Sequence, residues 1–133
     1  MSLKKILIID DDRDLLLGLA ARLKANRYQV VCAMDGAAGI LLARQESPDL
    51  IILDLGLPGE DGILVLGRIR ELPELMGIPV IVLTARSPVE NHQHAMDAGA
   101  VAFFQKPTEN NLFLSAIRET LGETAPLSAF LRI

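Results

Sequence analysis

The chain has 133 residues; half are hydrophobic but only 4% are aromatic, Trp is absent, and the net charge is −4. That length suits one domain with an aliphatic core large enough to fold without a metal or a disulfide, and a charged fraction of 23% argues against disorder. The acidic balance speaks against a stand-alone nucleic-acid binder, which carries a basic face, and a single cysteine, Cys32, excludes an internal disulfide and points to a reducing, cytoplasmic setting.

In chain order, apolar runs alternate with helical patterns. Lys4 to Ile9 is an aliphatic run without polar alternation, as expected of a strand buried on both faces. Its apolar part, Ile6 to Ile9, is too short for a signal peptide or a membrane span. Asp12 or Asp14 then caps a helix bearing Leu15, Leu16, Leu19 and Leu23 at helical spacing. Tyr28 to Ala33 predicts a second strand, with Cys32 as a small core residue. Ala37 to Glu46 predicts a helix, in which Gly39 marks close packing on the sheet. Leu50 to Leu53 is a third strand, followed by a loop rich in Gly and Pro. Helix Ile63 to Leu72, strand Pro79 to Leu83, helix Pro88 to Ala98 and strand Val101 to Phe104 follow, and Thr108 caps a last helix, Glu109 to Leu121. Parallel strands need crossovers, which helices supply. The expectation is therefore a doubly wound α/β domain over residues 4–122, with 123–133 a tail or the start of a linker.

In open α/β sheets, ligands bind beyond the carboxyl ends of the strands. Asp10, Asp11 and Asp12 follow the first strand, Asp54 the third, Thr84 the fourth and Lys106 the fifth. Clustered carboxylates repel one another unless a cation sits among them. An all-oxygen set without His or Cys suits Mg²⁺, which takes one or two carboxylates and completes its shell with water and phosphate oxygen. A lysine matches a phosphoryl oxygen, and a carboxylate can act as the nucleophile in phosphoryl transfer. Asp12 is read only as the helix cap.

These motifs resemble the receiver domain of two-component response regulators. The matching pieces are Ile6-Leu7-Ile8-Ile9-Asp10-Asp11-Asp12, Pro48 to Leu55 with Leu57 to Gly62, Pro79 to Ala85, and Ala98-Gly99-Ala100 leading to Phe103 and Lys106-Pro107. The resemblance implies a flavodoxin-like, five-stranded parallel sheet of order 2-1-3-4-5 with five helices. It makes Asp54 the phosphoacceptor, Asp11 a direct Mg²⁺ ligand, Asp10 one acting through water, and the Gly56 carbonyl a further ligand. It makes Lys106 the residue that binds phosphoryl oxygen, Thr84 the switch hydroxyl, Phe103 the switch aromatic, and Lys106–Pro107 a cis peptide. The implied partners are a sensor histidine kinase or phosphotransfer protein and a downstream effector domain or protein, with no direct contact to nucleic acid or membrane. The switched surface comprises the fourth helix, fifth strand and fifth helix.

Departures from the family pattern carry their own expectations. Gly56 stands where many relatives have a larger side chain, so the acceptor should be open to water. Phe103 replaces the commoner Tyr, and Thr108 a frequent Phe. Val101 and Ala102 stand where relatives feeding winged-helix domains carry acidic residues, which weakens the case for a phosphorylation-dependent homodimer through inter-subunit ion pairs. His92 and His94 do not share a helix face and read as solvated. Leu17, Leu41 and Val101 read as partly exposed. Two other functions compete with the phosphoacceptor: a degenerate receiver that only binds partners, and an Mg²⁺-dependent phosphohydrolase. The second normally carries its nucleophile after the first strand, not the third. The short chain places the output on a partner or on chain beyond this sequence.

Overall fold

The computed structural model describes residues 3–123; the expected tail lies, past Glu123, outside them. The strands are β1 (Lys5–Ile9), β2 (Gln29–Ala33), β3 (Leu50–Leu53), β4 (Val80–Thr84) and β5 (Ala102–Gln105). The helices are α1 (Arg13–Ala25), α2 (Gly36–Glu46), α3 (Gly62–Glu71), α4 (Pro88–Asp97) and α5 (Asn110–Thr120). All neighbouring strands pair in parallel, in the order β2-β1-β3-β4-β5. This is the flavodoxin-like topology expected from the sequence.

The unalternating aliphatic runs become the centre of the sheet because both faces are covered. Leu7, Ile9, Ile51, Leu53, Val80 and Val82 pack with Ala43 of α2, with Val65, Leu66 and Ile69 of α3, and with Ala95 of α4. Ile6, Ile8, Leu50, Ile52, Ile81 and Leu83 pack on the opposite face against Leu16, Leu19 and Leu23 of α1 and against Phe113, Leu114 and Ile117 of α5. Each such aliphatic side chain contributes about 1.5–3 kcal/mol when fully buried. The consequence for function is a rigid platform whose strands all end at one edge.

Two glycines set the approach of helices to that edge. A Cβ on Gly39 would lie 2.5 Å from Cδ1 of Ile9, so α2 sits close on β1 as expected. A Cβ on Gly62 would strike Cα of Leu55 and lie 2.6 Å from the Asp54 carbonyl oxygen, so the start of α3 is pressed against the backbone that follows β3.

Three expectations are corrected. Cys32 is exposed rather than part of the core, because β2 is an edge strand and its residues run exposed, half-buried, half-buried, exposed, buried. Glu109, not Thr108, caps α5; its two carboxylate oxygens accept from Asn111 N and Leu112 N, each at 2.9 Å. Strands β1, β2, β4 and β5 each begin one residue later than expected, and β4 and β5 also end one residue later, so Thr84 is the last residue of β4 and pairs with Gln105. Asp12 is the α1 cap and accepts from Leu15 N at 3.2 Å. Leu17, Leu41 and Val101 are exposed, as are both histidines.

Candidate functional site

The residues singled out in the sequence meet at the carboxyl edge of the sheet. Asp10, Asp54 and Lys106 each lie one position past a strand, yet the ladder still holds their backbones. Asp10 N donates to Ala33 O at 3.0 Å, Asp54 N to Ile9 O at 3.0 Å, and Lys106 N to Thr84 O at 2.8 Å. A side chain anchored this way is positioned by the sheet rather than by a mobile loop.

Asp10, Asp54 and Thr84 are only 2%, 7% and 1% exposed, while Asp11 faces solvent. Lys106 Nζ donates to Asp10 Oδ2 at 2.7 Å and to Asp54 Oδ2 at 3.4 Å. The other carboxylate oxygens are held by backbone amides: Asp12 N donates to Asp10 Oδ1 at 2.9 Å, and Gly56 N to Asp54 Oδ1 at 3.1 Å. A Cβ on Gly56 would meet nothing nearer than the Asp54 carboxylate oxygens, at 3.8 and 3.9 Å, so the acceptor candidate is unscreened on that side. The Lys106–Pro107 peptide is cis, as expected. An open groove of about 590 Å³ lies between α1 and the start of α5; of the site residues Lys106 alone lines it.

Charge is unbalanced here. Burial pushes the Asp10 carboxyl above its ordinary value; the bonds from Lys106 and the Asp12 amide oppose this, and the charge on Asp54 adds to it. Burial alone would lower Lys106, but the Asp10 bond and the charges of Asp54 and Asp10 together outweigh it, so the ammonium is held protonated. One ammonium thus pairs with two buried carboxylates, and Asp11 beside them adds a third negative charge without bonding to it. Asp10, Asp11 and Asp54 each offer an oxygen, and these oxygens lie within 4.8 Å of one another. An all-oxygen donor set with surplus negative charge fits a hard divalent cation such as Mg²⁺.

The two switch candidates are placed differently. Thr84 Oγ1 accepts from Arg86 N at 3.3 Å. Phe103 is half-buried against the core on the α2–α4 side of the sheet, and its ring lies 5.6 Å from that of His92, tilted by 58°. Sequence reasoning missed His92 as the neighbour of Phe103. It also missed Arg86, whose guanidinium Nη1 donates to Asp61 Oδ1 at 3.1 Å. The signal available for Arg86 was a cation two positions past the hydroxyl candidate, in the loop that carries it.

Known proteins resemble the chain in sequence and fold. The model of the response regulator receiver domain family matches residues 6–118. The transcriptional regulatory protein KdpE of Mycobacterium tuberculosis is 41% identical over 113 residues, covering 85% of this chain and 49% of that protein. The transcriptional regulatory protein PrrA of the same species is 36% identical over 128 residues, covering 94% of this chain and 54% of that protein. The chain thus spans about half the length of these curated relatives. Among solved structures, a CheY-like receiver domain protein of Methanospirillum hungatei superposes with a TM-score of 0.85 at 32% identity, covering 92% of this chain and 96% of that one. The BeF3-activated N-terminal receiver domain of Klebsiella pneumoniae RstA superposes with a TM-score of 0.83 at 29% identity, covering 89% and 98%. The carboxylate edge, the strand order and these matches lead to one conclusion: the chain belongs to the response regulator receiver domain family of two-component systems.

Proposed function

We propose that the chain is a phosphoacceptor module of a phosphorelay and that Asp54 is the residue phosphorylated. The observation that carries this reading is the meeting of a buried Asp54 with Asp10, Asp11 and Lys106 at one strand edge. An Asp54 oxygen attacks the phosphorus of a phosphohistidine on a sensor histidine kinase or phosphotransfer protein, or of a small acyl phosphate. The new O–P bond forms as the bond to the donor's leaving atom breaks, and the electron pair leaves with the donor. Lys106 neutralises charge on the transferring oxygens, and the Thr84 hydroxyl donates to one of them once drawn inward. Asp10, Asp11, Asp54 and the Gly56 carbonyl would hold Mg²⁺, which when bound would neutralise the carboxylates and the phosphoryl group.

Movement of Thr84 frees space into which Phe103 rotates. This reshapes α4, β5 and α5, a shift between two packings of one fold. The relatives' names and their greater length support passing that change to an effector domain or partner protein; the module itself would contact neither nucleic acid nor membrane and would act in the cytoplasm. Exposed Val101 on that surface leaves room for a phosphorylation-dependent homodimer without the acidic ion pairs. Its own phosphorylation and dephosphorylation are the only reactions assigned to it.

The test is uptake of acid-labile phosphate from acetyl phosphate. The native chain should take up close to one equivalent and Asp54→Asn almost none. Undiminished uptake by Asp54→Asn would remove Asp54 as the acceptor. Turnover of a generic phosphate ester by the native chain would favour a phosphohydrolase instead.

A further inference from the structure

We propose that Arg86 is a positioning residue for this phosphoryl transfer: paired with Asp61, it holds Thr84 in its resting place and so sets how readily the acceptor is loaded. The proposal rests on reading Asp54 as the acceptor.

Three residues, Ala85 to Ser87, connect Thr84 at the end of β4 to Pro88 at the start of α4. Arg86 is tied at both of its ends. Its backbone amide donates to Thr84 Oγ1 at 3.3 Å, and its guanidinium donates to Asp61 Oδ1 at 3.1 Å. Asp61 is a fixed anchor. The same oxygen accepts from Ile63 N at 2.9 Å as the cap of α3, and Gly62 N donates to Leu55 O at 2.9 Å. Gly62 has no room for a side chain against the backbone of Leu55 and Asp54. The segment that follows the acceptor therefore presents a carboxylate to the segment that carries the switch hydroxyl. Arg86 bridges the two, with Gln105 Nε2 giving only a longer bond to Ala85 O at 3.5 Å.

In the resting geometry the Thr84 oxygen is held toward the Arg86 amide. Drawing that oxygen to a phosphoryl group on Asp54 pulls the short loop with it and stretches both Arg86 contacts. An interaction made in one state only biases the equilibrium by its own strength. The Arg86 side chain is 35% and the Asp61 side chain 47% exposed. A pair this open shifts an equilibrium by about 1.5- to 5-fold, enough to tune loading without preventing it.

The experiment compares Asp61→Asn in three backgrounds: native, Arg86→Gln and Arg86→Lys. Asparagine keeps a capping oxygen for α3, so the helix start survives. Two quantities are read: the rate of phosphate uptake at subsaturating acetyl phosphate, and calorimetric affinity for beryllofluoride in the presence of Mg²⁺. In the native background, Asp61→Asn should raise both by about 1.5- to 5-fold. With Arg86→Gln the same change should have no effect, and with Arg86→Lys the effect should return in part. A merely structural role would change the unfolding midpoint without tightening beryllofluoride binding. An Asp61→Asn effect that persists in full beside Arg86→Gln, or that is absent beside Arg86, overturns the proposal while native uptake at Asp54 still upholds the acceptor. Loss of native uptake, or full uptake by Asp54→Asn, overturns both.

Discussion

The two ends of the sheet use the same kinds of side chain to opposite effect. At the amino end, polar groups find partners within the protein. Lys5 N donates to Asp49 Oδ2 at 2.8 Å, and Lys5 Nζ pairs with Glu46 at 3.3 Å. Tyr28 OH donates to Glu123 Oε1 at 2.6 Å, and Arg118 Nη2 donates to Asn26 Oδ1 at 2.8 Å. At the carboxyl end, three carboxylates cluster and only two of them, Asp10 and Asp54, pair with Lys106. The first arrangement fastens the end of α5 to the turn before β2 and serves stability. The second leaves a surplus of negative charge that a bound cation would balance. Changes at the carboxyl end should therefore alter phosphate chemistry, and changes at the amino end stability alone.

The largest effect is expected at Lys106. Lys106→Met removes the one cation in the cluster and should slow phosphate uptake by about 10²-fold, the usual scale for losing a charge-stabilising donor. Asp10 and Asp54 are then left buried without their counter-charge, so stability at neutral pH should fall as well and be recovered in part as the carboxylates are protonated at lower pH. Phosphate uptake unchanged by the substitution would erase the contrast between the two ends.

Metal linkage comes next. At Mg²⁺ ten times above its Kd, the native chain should gain about 1.4 kcal/mol in stability, read as a higher unfolding midpoint. Asp11→Ala should lose that gain while keeping its midpoint in chelator, since Asp11 is exposed. A native chain indifferent to Mg²⁺ would favour the degenerate receiver.

At the other end, Tyr28→Phe should lower stability by about 1 kcal/mol, the usual net worth of a hydrogen bond, and leave phosphate uptake unchanged. Burial, and then the bond to Glu123, push the Tyr28 phenol up to about 12 from its ordinary value of 10.0. The folded chain thus holds this proton more tightly than the unfolded one. The resulting stability is full below pH 10 and is lost as pH rises toward 12. Denaturant midpoints of the native chain should fall more than those of Tyr28→Phe across that interval; parallel curves would show that the bond contributes nothing.

The smallest effect belongs to Gly56. Gly56→Met places a side chain beside the open face of the Asp54 carboxylate, and the φ there is not positive, so no backbone strain is expected. Partial exclusion of water should lengthen the life of the phosphorylated form by about two- to threefold. Equal half-lives would show that water does not approach from that side.

The same contrast explains what could be read from the chain. Ile6 to Ile9, Leu50 to Leu53 and Val80 to Leu83 announce strands buried on both faces, because no polar alternation interrupts them. Asp10, Asp54 and Lys106 announce the site, because strand ends in such sheets share one edge. The exposure of Cys32 was missed although the expected order already put strand 2 at the edge: which residues of that edge strand the helices leave open is set by tertiary packing. The cap of α5 was ambiguous because Thr108 and Glu109 are adjacent, and only backbone geometry chooses between them. The Arg86–Asp61 and Tyr28–Glu123 contacts join residues far apart in the chain and carry no local pattern. The carboxyl edge was legible through topology; its fastenings required coordinates.

Locating the phosphate shows whether Asp54 is the acceptor. The native chain, loaded from acetyl phosphate with Mg²⁺, is reduced with borohydride, which converts an aspartyl phosphate to homoserine, and its peptides are sequenced by mass spectrometry. Conversion is expected at Asp54 alone. Conversion at Asp10 or Asp11, or none at all in a chain that has taken up phosphate, would contradict that assignment.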